Sequence, residues 1–174
     1  MGIDIRKAAP TDAAAACALL RRSIEEVCEP DHRGRPEVLD AWLGNKTPAT
    51  VAAWFGSPSN HAIVAERDGE LLGLALLTQA GKLALCYVEP GALRSGVGRA
   101  LLAAVEDQAR AWEIRKLHLH SPESCASFYE RHGYANAGIE KSCFGLECSL
   151  MWKKLDADPA AGAAARKRFC NCSE

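Results

Sequence analysis

The stretch Lys82 to Val105, KLALCYVEPGALRSGVGRALLAAV, holds the residues whose types and spacing could do chemistry. Arg94, Ser95, Gly96, Val97, Gly98 and Arg99 form a compact loop between an apolar run and an amphipathic one. The first N–H groups of a helix lack internal partners, and the helix dipole is positive there. A glycine-rich loop that opens a helix therefore attracts phosphate, because glycine lets the backbone approach an anion closely. Arg94 and Arg99 add charge-assisted donors. The plain alternative is a helix start with two turn glycines, and the surrounding elements decide between the two.

Eight cysteines are the other reactive groups: Cys17, Cys28, Cys86, Cys125, Cys143, Cys148, Cys170 and Cys172. Most fall inside apolar patterns, where a free cysteine behaves as a small hydrophobe. Neither Cys143-x4-Cys148 nor Cys170-x-Cys172 has the paired C-x2-C spacing of a zinc site. His118 and His120 alternate along a strand pattern, a poor start for a metal centre, and no metal is expected.

Composition narrows the class. The chain has 174 residues, 48% hydrophobic and 25% charged, the profile of one compact domain. A formal net charge of −1 gives no global field for nucleic acid or an anionic membrane. No apolar run approaches the roughly 20 residues of a membrane span. The opening MGIDIRKAAPTD lacks a secretory layout, and Arg6 stands where myristoylation needs Ser or Thr. The expectation is a cytoplasmic protein without nucleic-acid or membrane partners.

The elements around the loop follow from periodicity. Residues 3–7 read as a strand. Thr11 caps a helix that carries Cys17, Leu20, Ile24 and Val27 and ends near Glu29-Pro30. Residues 29–36 read as a loop. Short helices follow with Val38, Leu39, Trp42 and Leu43, and then with Val51, Trp54 and Phe55 after Thr47-Pro48. Residues 61–67 and 70–78 form a hairpin around Asp68-Gly69, and a turn at Ala80-Gly81 leads into the central strand 83–88. After the central helix, 115–120 is a strand, and Ser121-Pro122 caps a short helix closed by Gly133. Residues 135–142 are a loop or weak strand, and 143–155 the final strand. The domain spans 1–155, and 156–174 is a frayed tail.

A dinucleotide fold wants a third small residue where Leu101 stands, and an acid after the next strand, where His120-Ser121 stands. The order of elements instead resembles the GCN5-related N-acetyltransferase (GNAT) superfamily over residues 3–155. Tyr87-Val88-Glu89-Pro90 running into Arg94-Ser95-Gly96-Val97-Gly98-Arg99-Ala100-Leu101-Leu102 carries the resemblance, together with Phe128-Tyr129-Glu130-Arg131-His132-Gly133-Tyr134. Two positions depart from the family pattern. Leu93 fills a slot usually held by Gln or Arg, and Lys82 stands where the histone-modifying branch has an acid.

The resemblance implies an α/β (α+β) fold: a mixed, mostly antiparallel sheet flanked by helices and splayed at the central strand. It implies acetyl-CoA as co-substrate and direct transfer of the acetyl group to an amine, on a small molecule or a protein. The N–H groups of residues 94–99 would cradle the pyrophosphate, and Cys86 and Val88 would pair with the pantetheine arm. A backbone N–H near Val88 would stabilise an oxyanion. From spacing alone Tyr129 reads as a core aromatic; the family motif makes it instead the general acid for the leaving thiolate. Phe128 reads as core. Ser121 caps a helix and touches the cofactor arm.

The general base stays open among Glu25, Glu26, Glu29, Asp31, His32, Glu70, Glu89, His118, His120 and a water chain. The acceptor is expected between residues 25–47 and 135–148, where a slight acidic excess suits a cationic amine. A homodimer through the final strand and the tail is compatible with the sequence. The rival function is an acyl-CoA-binding sensor without catalysis.

Overall fold

The computed structural model describes residues 2–156. The expected tail beyond residue 156, with Cys170 and Cys172, lies outside the described residues. Strand β1 (Asp4–Lys7) leads to helix α1 (Ala13–Arg22), which widens into a π turn at Ser23–Val27, and then to α2 (Glu29–His32), α3 (Pro36–Leu43) and α4 (Pro48–Gly56). Strands β2 (Asn60–Arg67), β3 (Glu70–Thr78) and β4 (Leu83–Val88) form the meander. Helix α5 (Val97–Ala111), β5 (Lys116–Pro122), α6 (Ala126–Arg131), β6 (Ala135–Lys141) and β7 (Glu147–Lys154) complete the chain.

The strands make two antiparallel sheets, ordered β1-β2-β3-β4 and β5-β7-β6. They touch at one parallel bridge, Lys82 with His118, where His118 N donates to Gly81 O at 3.0 Å. The fold is therefore the expected α/β arrangement, splayed at the central strand. One core, under α1, α3 and α4, holds Leu20, Ile24, Trp42, Val51 and Leu74. The other lies under α5, whose buried stripe is Val97, Leu101, Leu102, Val105 and Ala109. A helix with one apolar stripe must cover a sheet face, and here it covers β3 and β4.

Several expectations are corrected. Residues 29–32 are a short helix rather than loop. Asp12, not Thr11, accepts Ala9 N at 2.8 Å, and it also pairs with Arg6. Thr47 does cap α4, accepting Thr50 N at 3.2 Å. Ser121 caps nothing: β5 runs on through it, its side chain is fully buried, and its hydroxyl donates to Pro122 O at 2.8 Å. Residues 143–155 are not one strand. Ser142 to Leu146 turn the chain between β6 and β7, with Ser142 N donating to Leu146 O at 2.7 Å. Strand β7 lies between β5 and β6, so both its edges are used and it cannot pair with a second copy. Among the described residues, the outer edge of this sheet is β6.

Candidate active site

The cleft begins where β4 and β5 part. Glu89 N donates to Leu72 O at 2.8 Å, so by strand alternation the peptide groups of Tyr87 and Leu85 also face β3. Those of Cys86 and Val88 turn the other way, into the gap. Leu85 and Leu83 oppose Leu76 and Leu77, which leaves Ala84 as an unpaired bulge. Bulges commonly re-aim a strand beside a site. The resulting cavity measures about 520 Å³. The π turn lines it with Ser23, Val27 and Cys28, β4 with Cys86, Tyr87 and Val88, and α6 with Phe128, Tyr129 and Arg131.

One end of the cavity is the glycine loop. Gly96 has φ +91° and Arg94 φ +59°, two left-handed residues that turn successive N–H groups outward. Among the described residues no acceptor pairs with the N–H groups of 93–99; the first pairing is Ala100 N to Gly96 O, 3.0 Å. A Cβ on Gly98 would meet the Phe128 ring at 3.3 Å, so glycine lets the α5 start sit against α6. Arg94 and Arg99 line the cavity, and neither makes an ion pair among the described residues. Gly96 and Gly98 line it as well. Ser95 and Val97 do not: the Ser95 hydroxyl is held by Ala92 O at 2.5 Å, and the Val97 side chain is core. Each offers only its N–H.

Tyr129 lines the same cavity. The side chain is buried and edge-on to Phe128 and Tyr134. Burial raises the phenol well above the usual tyrosine range, and charge on Cys86, Cys125 or Tyr87 would raise it further. Burial pushes the Cys86 thiol up to about 12, against a smaller lowering by the neighbouring Tyr129 phenol. Both groups keep their protons at neutral pH. Tyr129 is thus at once a core aromatic and a protonated phenol lining the cleft. Phe128, expected as plain core, is half-buried and lines the cavity.

Among the expected bases, His32 is excluded by its bonds. Its Nδ1 accepts Gly34 N at 3.0 Å, so Nε2 carries the proton and donates to Ile24 O at 3.0 Å. Glu89 is held by Arg22 at 2.7 Å. His120 lines the cleft, and its Nε2 lies 2.5 Å from Glu140. His118 does not line it, and among the described residues no third ligand gathers with the two histidines.

A second cavity, about 430 Å³, lies between α2 and the β6–β7 turn. Asp31, Glu123 and Glu147 line it against Arg33, Arg35 and Lys141, so the charges balance and the expected acidic excess is absent there.

The acetyltransferase (GNAT) domain model matches residues 28–155. The chain belongs to the GNAT acetyltransferase family. It is an enzyme of that family, and acetyl-CoA is its co-substrate. The IAA acetyltransferase of Azospirillum brasilense is 30% identical over 115 residues, which span 59% of this GNAT chain and 75% of that protein. The peptidyl-lysine N-acetyltransferase YiaC of Escherichia coli K12 is 26% identical over 114 residues, spanning 57% and 75%. A GCN5-related N-acetyltransferase structure from Rhodopseudomonas palustris superposes with TM-score 0.80 at 24% identity, covering 89% of this chain and 97% of its own.

Sequence reasoning singled out Tyr129 and the loop. It missed Arg131 as a lining residue, the Phe128–Gly98 contact, and the pairings His120–Glu140 and Asp31–Ser124. Arg131 was visible as a charge inside the F-Y-E-R-H-G-Y block. The pairings depend on strand register and helix placement, which no local signal carries.

Proposed function

We propose that this acetyltransferase acts on an amine, with Tyr129 as the acid and His120 as the base, in a single domain over residues 1–155. Acetyl-CoA supplies a thioester whose carbonyl carbon is open to a neutral amine. The N–H groups of 94–99 and the guanidiniums of Arg94, Arg99 and Arg131 bind phosphate at the α5 start. The peptide groups of Cys86 and Val88 hold an extended arm as a further strand, and Val88 N–H is the oxyanion donor. Tyr129 gives its proton to the departing sulfur. His120, oriented by Glu140, takes one from the amine. Ser121, whose hydroxyl is buried and already bonded, is left out.

The observation that carries this reading is the splay itself: a cleft with unspent peptide groups on β4, lined by a free N–H cradle and by a protonated phenol. The balanced cavity beside α2 is the proposed acceptor entrance. The two curated relatives are named for different acceptors, so the acceptor is left at the level of an amine on a small molecule or a protein. A homodimer, if formed, would use the β6 edge. A cytoplasmic setting belongs to the same proposal.

Calorimetric titration of acetyl-CoA, CoA and NAD, followed by turnover of an amine panel, tests it. The expected result is micromolar binding of both CoA species and none of NAD. Tyr129→Phe should then lower kcat by about 10²-fold or more while leaving acetyl-CoA affinity intact. An unchanged kcat would remove Tyr129 from the mechanism. An absence of turnover with tight binding would favour an acyl-CoA sensor.

A further inference from the structure

The wall of the cleft holds one buried polar group whose hydrogen bonds are not made. Ser23, His32, Lys46, Glu106 and Ser121 are the buried polar and charged residues among those described. Four have partners. His32 bonds Gly34 N and Ile24 O, Lys46 Nζ donates to Asn45 Oδ1 at 2.7 Å, Glu106 accepts from Lys153, and Ser121 donates to Pro122 O. The Ser23 hydroxyl has none among the described residues, although the residue is only 3% exposed. A helical serine commonly turns its hydroxyl onto the carbonyl four residues back or out to water. Buried polar groups are otherwise paired, because an unmade hydrogen bond leaves their desolvation uncompensated. Ser23 is not sealed in. It lines the cleft, and the fully enclosed side-chain atom without a partner among the described residues is Arg67 Nε. The unused bonding capacity of Ser23 therefore faces the cleft.

The position is firmly built. Ser23 opens the π turn, and its carbonyl accepts Cys28 N at 3.2 Å, five residues on. The wide turn brings Ser23, Val27 and Cys28 to one face, and all three line the cleft. Buried His32 locks the turn by donating to Ile24 O at 3.0 Å, with Glu25 O at 3.2 Å from the same nitrogen. On the other side, Arg22 Nε and Nη2 donate to the Glu89 carboxylate at 3.0 and 2.7 Å. These bonds tie the residue before Ser23 to the residue after Val88, so Ser23 is held beside the end of β4.

We propose that Ser23 Oγ accepts an N–H of the attacking amine and makes the enzyme selective for primary amines. This selectivity rests on the amine acceptor and the His120 base assigned above. A primary amine that points its lone pair at the thioester carbon has two N–H groups left. His120 takes one and Ser23 Oγ the other. The two acceptors come from different walls of one cleft, β5 and the end of α1, so together they fix the orientation of the nitrogen. An N-methyl amine has a single N–H. With that hydrogen on His120, the methyl group lies against Ser23 and leaves its hydroxyl unpaired in the bound complex. A site that hydrogen-bonds an N–H rejects the analogue lacking it more strongly than an apolar pocket rejects one extra methyl group.

Kinetics of a primary amine and of its N-methyl analogue, at saturating acetyl-CoA, read the selectivity in the wild-type enzyme and in Ser23→Ala. The wild-type enzyme should favour the primary amine more than tenfold in kcat/KM. Ser23→Ala should lower kcat/KM for the primary amine about tenfold, leave that of the N-methyl amine level or higher, and bind acetyl-CoA as before. An unchanged ratio between the two amines would overturn the proposal. So would a loss of acetyl-CoA affinity, which would give the hydroxyl to the co-substrate arm instead. Thermal melting of the free protein is a second readout that needs no turnover. Ser23→Ala should melt at the same temperature or higher, since the hydroxyl it removes has no partner to lose; a lower melting temperature would assign the hydroxyl to the fold and overturn the proposal as well. If no amine in the panel reacts, the functional reading has failed and the selectivity falls with it, whereas turnover with an unchanged ratio removes Ser23 alone.

Discussion

His120 and Glu140 are 20 residues apart, yet they share one face of the second sheet, because Leu150 and Cys148 of β7 are their register partners. With Nε2 taken by Glu140, the ring has one other nitrogen for an incoming amine. His120→Gln keeps a hydrogen-bonding side chain and loses the basic nitrogen. It should lower kcat/KM for the amine by about 10²-fold and leave acetyl-CoA affinity unchanged. Glu140→Gln should cost less, about tenfold, because it disturbs orientation without removing the base. Steady-state kinetics at saturating acetyl-CoA checks both; a His120→Gln enzyme with normal kinetics would return the proton to water. Tyr129 was legible in the sequence because six neighbours in a fixed block surround it. The histidine dyad was not, because β6 has no alternating pattern and every residue in it is exposed. Without that strand there is no register, and without register there is no pair.

The glycine loop works only if α5 lies flat against the sheet, and Gly73 in β3 permits this. A Cβ there would sit 2.9 Å from Leu101 Cδ1, Val97 Cγ1 and the carbonyl oxygen of Tyr87. Two of these atoms belong to the buried stripe of α5, and the third to the reaction strand. Gly73→Ala should therefore destabilise the protein by about 1–3 kcal/mol through overpacking. It should also weaken acetyl-CoA binding, because the first turn of α5 is pushed off β4. Urea denaturation reads the first effect and calorimetry the second; a neutral substitution would mean that the helix adjusts without cost. A lone glycine inside a strand pattern signals close approach, so this contact was readable in principle. The hairpin at Asp68-Gly69 and the α5 stripe were readable in fact, since both rest on local chemistry. The end of β5 was not. Pro122 reads as a helix start, while pairing with Cys148 holds it in the strand.

At the scale of the molecule, two sheets joined by one bridge must be held at a fixed angle, or the cleft has no fixed width. The α5 core supplies most of that hold, and one polar knot adds to it. Glu106 of α5 takes Lys153 Nζ of β7 at 2.9 Å and the Tyr134 hydroxyl at 3.1 Å, while Lys153 also donates to His132 O at 2.9 Å. Glu106 lies off the apolar stripe of α5, yet its side chain is only 10% exposed and that of Lys153 25%. A pair this shielded is worth more than a surface ion pair, and breaking one half leaves the other poorly solvated. Glu106→Ala should destabilise by about 1–3 kcal/mol. Joint replacement with Lys153→Met should cost less than the sum of the single changes, since no orphaned charge remains. The location of the loss is the sharper test. If the knot ties the second sheet to α5, amide exchange in Glu106→Ala should accelerate in β5, β6 and β7 while β2 and β3 keep their protection. A uniform rise across both sheets would mean that the knot adds only general stability. In that case the apolar packing of Leu117, Leu119 and Met151 beneath α5 sets the width of the cleft by itself.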